Sequence, residues 1–159
     1  MIVLPAVFWA ACFGIDRWLA LPRLIGEPWS SVLAASSGLV GVFWILWAWS
    51  YLLFVGKGLP LEVFGWALHP TRVLVTTGPY AYTRNPIVLG VLFLMLGVAF
   101  VRGSISGFVL VPVAAFGSWL YLLLFEEKGL AARFGEQYER YRACVPLLLP
   151  RLTAYNPAP

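Results

Sequence analysis

The sequence predicts an all-α integral membrane bundle, and three observations carry that prediction. Of its 159 residues 61% are hydrophobic and only 11% are charged. Mean hydropathy is +0.84, far above the range of ordinary soluble domains. The apolar residues also gather into four continuous runs, and a membrane-crossing helix needs about 20 such residues, with about 17 as the lower limit. β-barrel spans would instead alternate polar and apolar side chains over segments of about 10 residues. No such alternation, internal repeat or low-complexity segment is present.

The first run extends from about Ile2 to Leu21 and carries Asp16-Arg17, expected as a local pair near the membrane interface. No basic residue precedes it, so it reads as a retained helix and not as a cleaved signal. The second run, about Val32 to Val55, holds Trp44, Trp47, Trp49 and Tyr51, side chains common at interfaces and in packing. Gly38 and Gly41, with Ala34 and Ala35, suit close helix approach. The third run covers about Pro86 to Val101 and the fourth about Ser104 to Phe125, where Pro112 is expected to bend the helix. Beyond it, residues from Glu127 onward form an amphipathic pattern: Glu127, Leu130, Phe134, Tyr138 and Tyr141 share a face opposite Lys128, Glu136, Glu139, Arg140 and Arg142. Gly135 weakens that helix and Pro146 ends it.

Length and the continuous apolar runs leave room for one domain, residues 1–159. Net charge is +4, but the basic residues are scattered over loops and tail without the aromatic interleaving of a nucleic-acid surface. Membrane topology accounts for them. Lys57, Arg72, Arg84, Lys128, Arg133, Arg140, Arg142 and Arg151 fall in the second loop and the C-terminal tail, against Arg23, Arg102 and Arg17 on the other side. The positive-inside rule therefore puts both termini and the second loop in the cytoplasm. Cys12 and Cys144 lack any metal or redox spacing, and His69 has no ligand-type neighbour at useful spacing.

The second loop, about 30 residues from Gly56 to Asn85, is punctuated by Gly56, Gly58, Pro60, Pro70, Gly78 and Pro79. Loops of that length in compact domains are uncommon unless functional, so a lid or binding loop is expected. It ends in Gly78-Pro79-Tyr80-Ala81-Tyr82-Thr83-Arg84-Asn85-Pro86, an aromatic and cationic cluster at the mouth of the third run. Some 40 residues later the fourth run ends in Glu126-Glu127. An ionised group turned toward protein at membrane depth requires a counter-charge or a cationic ligand. One reading is a purely structural ion pair of Arg84 with Glu127. The other is a small zwitterion, and S-adenosylmethionine matches the residue types. Arg84 suits its carboxylate, the two glutamates its ammonium or ribose hydroxyls, and Tyr80 or Tyr82 its adenine.

These residues resemble a known group, the membrane methyltransferases that include isoprenylcysteine carboxyl methyltransferase and phospholipid N-methyltransferases. The likeness rests on Gly78-Pro79-Tyr80-x-Tyr82-x-Arg84-Asn85-Pro86 with Leu89-Gly90. It continues in Glu126-Glu127-x-x-Leu130 and Phe134-Gly135-x-x-Tyr138-x-x-Tyr141-x-x-x-Val145-Pro146. It covers roughly residues 56–152. Gly56-Lys57-Gly58 also looks like the Gly-x-Gly of cofactor binding in the phospholipid enzymes. The resemblance implies a cofactor-binding part at about 56–90 and 122–152, with Gly56, Gly58, Gly78, Tyr80, Tyr82, Arg84, Asn85, Pro86, Leu89, Glu126 and Glu127 around S-adenosylmethionine and Arg84 and Glu127 at its catalytic centre. It implies direct methyl transfer to a lipophilic acceptor entering from the bilayer, an isoprenyl-linked carboxylate or a phospholipid amine, without a metal. Where the better-known pattern reads Arg-His-Pro, this chain has Arg84-Asn85-Pro86. Asparagine hydrogen-bonds but does not titrate near neutrality. Two rival readings are a non-catalytic membrane scaffold or lipid-binding protein, and a nicotinamide-dependent membrane reductase.

Overall fold

In a computed structural model, the placed residues are 3–57, 62–63, 66–67 and 73–156. Gly58, His69 and Arg72, singled out above, lie outside them. Among the described residues the regular structure is helical apart from a minimal antiparallel pairing of β1 (Glu62–Val63) with β2 (Trp66–Ala67).

The helices are α1 (Val3–Trp18), α2 (Trp29–Phe54), α3 (Pro86–Arg102), α4 (Ile105–Tyr121), α5 (Glu127–Phe134) and α6 (Glu136–Cys144). A 3-10 turn occupies Gly78–Ala81 and a π-helical turn Leu122–Glu126. Two uninterrupted helical stretches are long and apolar enough to cross a membrane, Trp29–Phe54 and Ile105–Phe134. Helix α3 is apolar but shorter at 17 residues, and α1 has 16. Leu39, Phe43, Leu46, Val109, Val113 and Phe116 are exposed, as expected of helices whose solvent is lipid.

Three boundaries differ from the sequence reading. Helix α1 stops at Trp18 because Ala20 takes a positive φ of 50°. The fourth apolar run ends at Phe125, but the helix does not: it continues through the π turn and α5 to Phe134, with no proline in between. The amphipathic segment is then two helices instead of one. Gly135, at φ 53°, ends α5 and starts α6.

The chain divides into two compact units, Met1–Phe43 with Gly90–Gly117, and Trp44–Leu89 with Ser118–Pro159. In the first, α2 and α3 approach closely. A Cβ on Gly41 would lie 2.7 Å from the carbonyl oxygen of Gly90, and one on Gly97 would lie 3.2 Å from that of Ala34. Asp16 does not serve mainly as a partner for Arg17. Its carboxylate accepts from the Ser104 hydroxyl and from the Ser106 N–H at 3.1 Å, while the Ser104 oxygen accepts from the Gly107 N–H at 2.9 Å. Asp16 and Ser104 thus cap the start of α4, satisfying donors that no preceding helical turn can reach.

In the second unit Ala48, Val75 and Tyr80 form one buried cluster, packed by Tyr51, Leu52 and Ile87. Tyr138, Tyr141 and Val145 form another, with Leu130, Phe134 and Tyr155 against them. The apolar face read from Glu127 onward is therefore inward.

Candidate functional site

The Gly78–Pro86 motif is held in place by backbone geometry before any side chain acts. Gly78 has φ 60°, and a Cβ there would collide with the ring of Tyr51. Only glycine meets both conditions without strain. Pro79 starts the 3-10 turn, and Pro86 opens α3, where its missing N–H is no loss.

The chain beyond α6 returns along this motif as a strap. The Arg84 N–H donates to the Pro146 carbonyl at 2.9 Å, the Arg151 N–H to the Tyr82 carbonyl at 2.9 Å, and the Tyr155 N–H to the Ala81 carbonyl at 2.9 Å. Thr83, fully buried, directs its hydroxyl at the carbonyls of Leu147 (3.1 Å) and Leu148 (3.0 Å). The Asn85 side-chain amide donates to the Leu147 carbonyl at 3.4 Å. Sequence reasoning missed this strap and Thr83, because main-chain pairing of an irregular tail leaves no periodic signal.

Arg84 and Glu127 meet in an ion pair at the centre of the second unit, with side chains only 11% and 5% exposed. The Tyr138 hydroxyl donates to the same Glu127 oxygen at 3.3 Å and accepts from Arg84 Nη1 at 3.4 Å. Arg142 lies 3.9 Å from the other Glu127 oxygen. The Arg84 Nε donor is buried without a hydrogen-bond partner. Burial, then the charge of Glu127, pushes the Tyr138 phenol up to about 12, with Arg84 opposing. Burial likewise raises Tyr80 and Tyr141, so all three phenols remain neutral across the physiological range. The Tyr141 hydroxyl donates to the Tyr80 carbonyl at 2.7 Å, tying α6 to the 3-10 turn.

The remaining candidates occupy different settings. Glu126 is half-buried beside the pair, and its charge reaches Tyr80. Tyr80 is packed into the first cluster, whereas Tyr82 is half-buried with its ring 6.0 Å from that of Trp47. Leu89 is buried, and so is Gly56, whose N–H bonds to the Tyr51 carbonyl at 3.0 Å just past α2. Among the described residues no group of His, Cys, Asp and Glu is placed to hold a metal ion.

Long apolar helices with exposed hydrophobic side chains, together with a buried guanidinium–carboxylate pair in the second unit, are the features of an integral membrane protein. The family model for phospholipid methyltransferase matches residues 29–137, and the chain belongs to that family. Methanethiol S-methyltransferase of Mycobacterium tuberculosis is 30% identical over 152 residues, 92% of this chain and 54% of that protein. Methanethiol S-methyltransferase 2 of Bradyrhizobium diazoefficiens is 28% identical over 164 aligned residues, 96% of this chain and 57% of its own length. Protein-S-isoprenylcysteine O-methyltransferase of Schizosaccharomyces pombe is 33% identical over 79 residues, 50% of this chain and 34% of that one. The chain thus spans about half the length of the first two relatives. The likeness to isoprenylcysteine and phospholipid methyltransferases read from the motifs stands.

Proposed function

We propose that this protein transfers a methyl group from S-adenosylmethionine to a lipophilic acceptor, using the Arg84–Glu127 centre to hold the cofactor's amino-acid end. The observation that carries this reading is the buried ion pair itself, adjoining a buried guanidinium donor that has no partner. A zwitterion can insert into such a pair without stranding a charge: its carboxylate replaces Glu127 at Arg84, and its ammonium replaces Arg84 at Glu127. The residues present therefore fit the cofactor. Glu126 and Tyr82, both half-buried, supply an acceptor and a ring for the nucleoside part, and Gly56, Gly78, Asn85, Pro86 and Leu89 shape the surrounding backbone, while Gly58 joins the proposal on its sequence motif alone.

Once bound, the cofactor supplies an electrophilic sulfonium methyl, open to direct in-line displacement. The chain's contribution is position and exclusion of water. Arg84 and Glu127 fix one end of the ligand, and Tyr138 stays protonated to orient the Glu127 carboxylate. Asn85, committed to the strap carbonyl of Leu147, offers no titrating base. An acceptor already anionic, such as a carboxylate, needs none.

Four membrane spans, with both termini and this centre on the cytoplasmic side, complete the proposal, on the strength of the apolar runs and the distribution of Lys and Arg. The acceptor class is an isoprenyl-linked carboxylate or a phospholipid amine arriving laterally through lipid. A small thiol is the second reading, supported by the two methanethiol S-methyltransferases that align along nearly the whole chain.

Calorimetry of the detergent-solubilised protein with S-adenosylmethionine tests the cofactor. Binding that weakens by one to two powers of ten in Glu127→Gln and in Arg84→Ala is expected, from about 1.5 to 3 kcal/mol per charged hydrogen bond. No heat at millimolar cofactor, or normal binding by both variants, would exclude the proposed site. Labelled methyl donor supplied to native membranes, with the product identified by mass spectrometry, names the acceptor.

A further inference from the structure

The first unit contains a second cationic centre that plays no part in the proposed chemistry. Arg102 is the last residue of α3, and Arg23 lies in the connection between α1 and α2. Trp9 and Phe13 on α1 stack with centroids 5.6 Å apart, and the Arg102 guanidinium carbon lies 5.8 Å and 4.7 Å from those two rings. The aromatic faces hold the guanidinium by cation–π attraction and restrict its orientation. Arg23 donates to the Val101 carbonyl at 3.2 Å. Between these groups is an open cleft of about 390 Å³, lined by Trp9, Arg23, Val101 and Arg102.

The two arginines have donors to spare. Arg102 Nε is buried without a hydrogen-bond partner. Neither guanidinium takes part in a salt bridge among the described residues. Asp16 attracts Arg102, but its oxygens already accept from Ser104 and Ser106. Glu27 attracts Arg23 from a fully exposed position, where solvent screens it. Two guanidinium groups lining one cleft offer convergent donors to an anion, and the planar donor fork of arginine matches phosphate oxygens.

The surroundings point to the source of that anion. The same connection and its flanks expose Trp18, Leu24 and Trp29, apolar and amphipathic side chains of the kind that sit at the level of lipid headgroups. We propose that this cleft binds the phosphate of a membrane phospholipid, with Arg23 and Arg102 as donors and the Trp9 ring as one wall. The bound lipid is a resident of the fold, distinct from any methyl acceptor, and the inference stands whether or not the methyl-transfer reading holds.

Native mass spectrometry of the full chain in detergent tests it, with three probes: phosphatidylglycerol, diacylglycerol of the same acyl chains, and inorganic phosphate. Phosphatidylglycerol should be retained and diacylglycerol lost. Arg23→Gln should lower phosphatidylglycerol affinity by about tenfold or more, from the loss of one charged hydrogen bond. Arg23 is exposed and makes one carbonyl contact, so this variant keeps its fold even where Arg102→Gln, which strips the Trp9 and Phe13 faces, does not. Equal retention of diacylglycerol, or unchanged phosphatidylglycerol binding by a folded Arg23→Gln protein, overturns the proposal. Displacement of the lipid by millimolar inorganic phosphate also overturns it, by reassigning the cleft to free phosphate.

Discussion

Removing one member of the Arg84–Glu127 pair should damage the protein more than removing both. The side chains are 11% and 5% exposed, so each single substitution leaves a charge in a poorly solvated place. Breaking a buried pair from one side costs about 3–5 kcal/mol, whereas replacing both partners with apolar residues of similar size is often neutral. Glu127→Leu also removes the acceptor of the Tyr138 hydroxyl, adding about 1 kcal/mol. Arg142, exposed by 45% and 3.9 Å away, adds little. The expected cycle is therefore Arg84→Met and Glu127→Leu each destabilised by about 3–5 kcal/mol, and the double variant within about 1–2 kcal/mol of the parent. Denaturant unfolding in mixed micelles, followed by tryptophan fluorescence, measures all four. A double variant as unstable as the sum of its singles refutes the argument, since the two charges would then not be each other's main partners. A stable double variant that no longer binds S-adenosylmethionine would separate the pair's ligand role from its structural one.

Thr83→Val keeps the shape of a fully buried side chain but removes the donor to the Leu147 and Leu148 carbonyls, at a cost of about 1–3 kcal/mol. Hydrogen exchange should then show faster exchange at the Arg151 and Tyr155 amides, the strap's own donors to the motif. A second expectation concerns alkaline pH. The folded-state Tyr138 phenol is raised to about 12 from an ordinary value of 10.0, so the unfolded chain loses that proton first. Its stabilising contribution is complete below pH about 10 and disappears as pH rises toward about 12. Tyr138→Phe should flatten the fall in stability across that interval and remove one high-pH component from the tyrosinate absorbance titration.

What could be read from the sequence was governed by periodicity and charge. Four apolar runs were enough to locate α1 to α4, and a 100° wheel starting at Glu127 was enough to put Glu127, Tyr138 and Tyr141 on an inward face. Arg84 and Glu127 stood out because ionised residues beside apolar runs must be compensated. Asp16 was harder: its main partners lie 88 and 90 residues away, and nothing local distinguishes that arrangement from a pair with Arg17. The strap was invisible for the same reason. Its bonds to the Gly78–Pro86 motif are main-chain or short side-chain contacts, and almost any residue can supply a carbonyl.

The π turn at Leu122–Glu126 connects these two levels. In a regular α-helix each residue advances by about 100°, so the one-residue offset of a π turn shifts the facing of the helical residues that directly follow it by roughly that amount. The lipid-facing register of α4 and the inward register of α5 are therefore different registers of one continuous helical stretch, Ile105–Phe134. Residues such as Val109, Val113 and Phe116 face outward before the turn, and Glu127 is buried immediately after it. An uninterrupted α-helix would carry the apolar pattern of α4 straight on and give Glu127 a different heading. Gly135 then supplies a second correction, a positive φ that separates α5 from α6 and lets Tyr138 return to Glu127. A charged centre is thus built at the end of an otherwise lipid-compatible helix by two local irregularities, and the chemistry proposed for it depends on their geometry as much as on the identity of the ion pair.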